Sequence, residues 1–101
     1  MAPTLEPGDW AVAVPARRVH SGDIVVIEHP KEEGLEMVKR IVAGPSALTP
    51  DGRLLGPGEF WVEGDDPAHS TDSRDFGPIG RDRIRGRVRL IYWPARRRRL
   101  L

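Results

Sequence analysis

The chain has 101 residues and a mass of 11.3 kDa, room for one domain with one modest core and too little for a large multi-site enzyme. Sixteen Lys and Arg against fifteen Asp and Glu leave a net charge of +1, so the molecule as a whole has no bulk attraction for nucleic acid. With no cysteine, disulfides, thiolate zinc sites and cysteine nucleophiles are excluded. No apolar run approaches the roughly twenty residues that span a bilayer, and no signal-peptide pattern opens the chain, which as given is expected to be soluble.

Pro3 and Pro7 both force the preceding residue toward extended conformations, so residues 1–9 read as an extended lead-in with a turn at Pro7-Gly8-Asp9. A short strand is predicted over residues 10–14, stopped by Pro15. Ser21-Gly22-Asp23 forms a turn ahead of the β-branched run Ile24-Val25-Val26-Ile27, a second strand. Residues 29–34 are a polar surface loop.

Residues 35–43 form the strand around which the rest is organised. Read with a period of two, Leu35, Met37, Lys39, Ile41 and Ala43 share one face, while Glu36, Val38, Arg40 and Val42 share the other. Lys39 is then the one charge on an otherwise apolar face. If that face is buried, desolvation lowers the lysine pKa from its ordinary value of about 10.4, and a neutral lysine can take a proton from a nucleophile. The same pattern also fits a sheet-edge lysine whose stem covers apolar surface while its head reaches water.

Gly44-Pro45-Ser46 breaks the chain, and Pro50-Asp51-Gly52 turns a hairpin between residues 47–49 and 53–55. Another strand follows over residues 59–63. The polar loop of residues 64–77 is too long for a plain connection in so small a domain, and loops of that length are usually functional or disordered. The last strand, residues 84–93, sets Ile84, Val88, Leu90 and Tyr92 against a basic face of Arg83, Arg85, Arg87 and Arg89. Pro94 ends it, making residues 1–94 the domain and residues 95–101 a basic tail expected to fray. Short strands, close turns and no clear helical period predict a mostly β fold of small, coiled antiparallel sheets.

Taken together, the motifs resemble the type I signal peptidase family, proteases that cleave with a serine and a lysine and share their fold with LexA-type self-cleaving repressors. The resemblance rests on Met1-Ala2-Pro3-Thr4-Leu5 with Pro7-Gly8-Asp9, on Gly22-Asp23-Ile24-Val25-Val26, and on Val38-Lys39-Arg40-Ile41-Val42. It continues through Gly64-Asp65-Asp66 and Ser70-Thr71-Asp72-Ser73-Arg74, with Phe76-Gly77-Pro78 and Gly86-Arg87 behind them. By this resemblance Lys39 is the general base and Ser70 the hydroxyl that orients it. Asp72 and Arg74 form an ion pair holding the long loop, which Asp65 helps to fix. Met1, Leu5, Met37 and Val38 line shallow pockets for small substrate side chains, and the partner is an extended segment of a precursor protein. From the residues alone, Ser70 to Arg74 also reads as turn chemistry and the four apolar residues as core.

In the family the nucleophilic serine stands immediately before the methionine that is Met1 here, so the chain as given is expected to be inactive. One explanation is a native start further upstream that supplies the serine and a membrane anchor. The other is a catalytically inactive relative that binds peptides by strand addition. The loop block around Ser70 also resembles the small proteases that mature nickel superoxide dismutase. The family implies membrane association, and the arginine-rich end offers a peripheral contact with anionic lipid, whereas nucleic acid is not an expected partner. His20, His29 and His69 lie far apart without ligand spacing, so no metal is expected, and the proposed chemistry requires no cofactor.

Overall fold

The computed structural model describes residues 10–15, 18–66, 68, 70–93 and 99–100. Met1, Leu5, the Pro7-Gly8-Asp9 turn, His69 and Pro94 lie outside the described residues. The strands are β1 (Trp10–Val14), β2 (Ile24–Glu28), β3 (Glu36–Ala43), β4 (Glu59–Glu63), β5 (Ile79–Gly80), β6 (Ile84–Trp93) and β7 (Arg99–Leu100). They pair antiparallel in the order β1-β6-β2-β3-β4-β5, with β7 added to β6, which is the mostly β, antiparallel architecture expected.

The β-branched run of β2 sits between β3 and β6, and Val25 and Ile27 have no exposed surface. They join Val19, Ile41, Phe60, Val62, Ile79 and Ile84 in the main apolar cluster. Antiparallel partners point to the same side of a sheet, and Val25 lies opposite Lys39 while Ile27 lies opposite Met37. The face of β3 that carries Lys39 is therefore the core face.

Strand β4 is buried on both sides, as a short continuous apolar run permits. Phe60 and Val62 enter the main cluster, while Trp61 packs with Ala43 and Leu55 in a second one beneath the hairpin. A register shift between Ile41 and Ala43 accounts for the division on β3. Strict alternation would place these two residues on one side, but Ile41 pairs with Val62 and Ala43 with Trp61, each within a different cluster. The hairpin itself closes through a bridge between Leu48 and Leu54.

Three expectations need correction. The strand expected over residues 35–43 starts one residue later, since Leu35 precedes β3 and is 42 % exposed. The stretch 64–77 is not loop throughout, because Ser73–Phe76 forms one turn of helix, α1. Asp72 caps it by accepting from the Arg74 amide, and Asp75 reaches back to the Asp72 amide, a reciprocal capping box. At the C-terminal end, Arg99 and Leu100 do not fray but pair with Ile91 and Leu90 of β6.

The basic face of β6 is present, with Arg85 and Arg89 exposed beside buried Ile84, Gly86 and Val88. It is partly neutralised from β2, since Glu28 Oε1 accepts from Arg83 Nη1 at 2.7 Å and from Arg85 Nη2 at 2.8 Å.

Candidate active site

Lys39 enters the site from the middle of β3 and is only 8 % exposed. Its Nζ donates to Ser70 Oγ at 2.9 Å, across 31 positions of sequence. Ser70 Oγ in turn donates to Asp72 Oδ2 at 2.8 Å. A hydroxyl has a single proton. With that proton on Asp72, the Ser70 oxygen faces Lys39 as an acceptor and fixes the direction of one Nζ–H.

Asp72 has no exposed surface, so its carboxylate needs several donors to remain charged. Oδ2 accepts from the Gly64 amide at 2.9 Å, and Oδ1 from the Arg74 amide at 3.0 Å and from Arg74 Nε at 2.9 Å. Arg74 Nη2 completes a two-pronged ion pair with Oδ2. Burial alone would raise the Asp72 pKa; the Arg74, Gly64 and Ser70 donors override it and hold the carboxyl far below the usual carboxylate range.

For Lys39 the balance runs the other way. Burial pushes its pKa down, Asp72 pulls it up, Arg74 pushes it down again and Asp75 pulls it up, with a net result below the ordinary lysine value. The site thus couples a desolvated amine to an oriented hydroxyl and a carboxylate whose donors favour its ionised form.

Around this line of groups the loop is pinned at both ends. Arg40, on the other face of β3, grips Asp65 with Nε to Oδ1 and Nη2 to Oδ2, both at 3.0 Å, and its Nη1 donates to the Gly22 carbonyl at 2.9 Å. Ser73 Oγ accepts from the Val62 amide at 2.9 Å and ties α1 to β4. Between these points Gly64 passes so close to the site that an added Cβ would overlap the Ser70 hydroxyl and lie 2.8 Å from Ser70 Cβ and 3.5 Å from Lys39 Nζ.

Of the residues singled out from sequence, the structure brings Lys39, Ser70, Asp72 and Arg74 into one hydrogen-bonded line, with Asp65 at its margin. Met37 and Val38 are half-buried neighbours of Lys39 on β3, Met37 packing against the main cluster. Sequence reading missed the close approach of Gly64, the partner of Asp65 and the cap formed by Asp75. The Asp72-x-x-Asp75 spacing was the available signal for the last.

The family model described as signal peptidase, peptidase S26, matches residues 1–47 and 46–93. Subunit 1 of the human mitochondrial inner membrane protease is 34 % identical over 107 residues, covering 93 % of this chain and 64 % of the human protein. The Xenopus tropicalis subunit 1 is 36 % identical over 85 residues, covering 75 % of this chain and 51 % of that protein. Human subunit 2 is 32 % identical over 114 residues, with 96 % and 64 % covered. The chain belongs to the signal peptidase family. It spans from about half to just under two thirds of the length of these curated relatives.

Proposed function

We propose that this domain is the base-bearing part of a serine endopeptidase that removes a signal peptide or propeptide from a precursor protein, with Lys39 as general base. The observation that carries the reading is the buried Lys39 Nζ, 2.9 Å from a Ser70 hydroxyl whose own proton is engaged by Asp72. Held this way, neutral Lys39 spends one N–H on Ser70 and keeps its lone pair for the nucleophile's proton.

In the reaction, Lys39 takes the proton of a serine hydroxyl as the serine oxygen bonds to the scissile carbonyl carbon. The resulting ammonium returns that proton to the amine as the C–N bond breaks, leaving an acyl-enzyme. Water, deprotonated by the again neutral Lys39, then bonds to the acyl carbon, and as the ester C–O bond to the serine breaks the Lys39 ammonium gives its proton to the serine oxygen, releasing the acid. Ser70 is the positioning hydroxyl, and Asp72 with Arg74 holds it in place. By the family pattern the nucleophile is a serine immediately ahead of Met1.

The substrate is an extended peptide segment, with Met37 and Val38 beside Lys39 among the residues that contact it. The relatives carry the name of inner membrane proteases, which supports a place at a membrane for this protein. Among the described residues no helix is long and apolar enough to cross one. Contact with anionic lipid through the arginine-rich end would be peripheral.

The test compares the chain as given with a version carrying a serine ahead of Met1, each incubated with precursor-derived peptides. Cleavage by the serine-bearing chain, abolished by Lys39→Ala, supports the protease. Peptide binding without cleavage in both would instead support the inactive, peptide-binding relative.

A further inference from the structure

Gly64, the residue after β4, holds Asp72 directly through its amide, and the last residue of β4 reaches Asp72 at second hand. Glu63 Oε1 lies 3.9 Å from Arg74 Nη1, on the guanidinium that grips both Asp72 oxygens. Glu63 is itself fixed, because Trp61 Nε1 donates to its Oε2 at 2.8 Å and Trp61 is 4 % exposed, packed with Ala43 and Leu55. Arg74, by contrast, has a side chain 37 % exposed, so on its own it is free to swing into water.

We infer that Glu63 is a positioning residue of this site: clamped by Trp61, it holds the outer side of the Arg74 guanidinium so that Arg74 stays across Asp72, Asp72 stays on Ser70, and Ser70 keeps Lys39 aimed. The inference rests on the base role proposed for Lys39. A separation of 3.9 Å is too long for a hydrogen bond, so Glu63 acts on Arg74 through charge rather than shape. The charged groups acting on Lys39 itself are Asp72, Arg74 and Asp75, and Glu63 holds the one cation among them.

Charge and shape separate in Glu63→Gln, which keeps the volume and the acceptor for Trp61 but loses the negative charge. In the 101-residue chain, nuclear magnetic resonance reads the exchange of the Arg74 Nε–H with water and the titration of Lys39, neither of which requires cleavage. We expect faster Arg74 Nε–H exchange and, as the cation that lowers Lys39 withdraws from Asp72, a Lys39 titration displaced to higher pH. In the serine-bearing chain the same substitution lowers kcat several-fold with little change in KM. Trp61→Phe, which releases Glu63 without removing its charge, should give a smaller increase in Arg74 exchange. Arg74 exchange and Lys39 titration identical to the parent in Glu63→Gln overturn the role of Glu63. A parent Lys39 that titrates as an ordinary lysine overturns the base assignment instead, which keeps the two failures distinguishable.

Discussion

Lys39 and Ser70 meet Nζ to Oγ at 2.9 Å although 31 positions separate them in the chain. The contact joins the middle of a core-facing strand to a loop that is held in place by one buried carboxylate, Asp72.

Gly64→Ala places a methyl group where the Ser70 hydroxyl and the end of Lys39 already lie. Either Ser70 or the loop must shift, and misplacement of catalytic groups by about 1 Å costs on the order of 100-fold in rate. The expected result is a serine-bearing chain with at most about a hundredth of the parent kcat/KM and a folded-state spectrum unchanged elsewhere.

Asp72→Ala removes an ion-pair partner, a helix cap and the acceptor of the Ser70 proton together. The lost cap costs about 1 kcal/mol, and the Gly64 amide and Ser70 hydroxyl left without their acceptor cost about 1 kcal/mol or more besides, whereas Arg74, 37 % exposed, turns to water. Urea unfolding should show a midpoint lowered accordingly with the slope preserved.

Ile27→Ala tests the cluster on which Lys39 rests. Ile27 is fully buried beside Val25 and Ile41 in that cluster, and truncating such a residue typically costs about 3 kcal/mol. By contrast Leu54→Asn, at a residue 71 % exposed on the hairpin, should change stability by no more than about 0.5 kcal/mol. Equilibrium unfolding of the two variants checks both figures.

The pH dependence follows from the lowered pKa of Lys39, whose first cause is burial. The unfolded chain binds the lysine proton at higher pH than the folded chain does. Between the folded pKa and the ordinary value the unfolded state therefore carries more protons, and stability rises with pH across that interval. It is lost as pH falls through the folded pKa. Lys39→Met, which removes the buried amine, should be more stable than the parent at the acid end of this interval. The difference should shrink as pH rises, and the serine-bearing variant should be inactive at every pH. Activity of the serine-bearing chain with Lys39 intact should rise with pH through the same transition.

Much of this site is legible in the sequence because strand alternation is local. The lone Lys39 among Met37, Ile41 and Ala43 marks a buried-face amine from residues two apart, and the core position of β3 agrees with it. Ser70, Asp72 and Arg74 are recognisable as a motif, but their hydrogen bonds to β3 and to Gly64 arise only when the chain folds back. Alternation also fails at Val42, where the register shift sends Ile41 and Ala43 to different clusters. The single turn of α1 is too short for a helical period and is visible only through the Asp72 and Asp75 caps. Glu63 reads as an ordinary polar strand end until Arg74 is found beside it.

The central claim is that Lys39 is a base, and its side-chain titration in the 101-residue chain tests this most directly. Isotope-labelled lysine, assigned by comparison with Lys39→Met and followed by nuclear magnetic resonance across the alkaline range, reports the protonation of this one amine. The expected transition lies below the ordinary lysine value, with a further change on Ser70→Ala. A Lys39 that titrates near the ordinary lysine value of about 10.4 would contradict it.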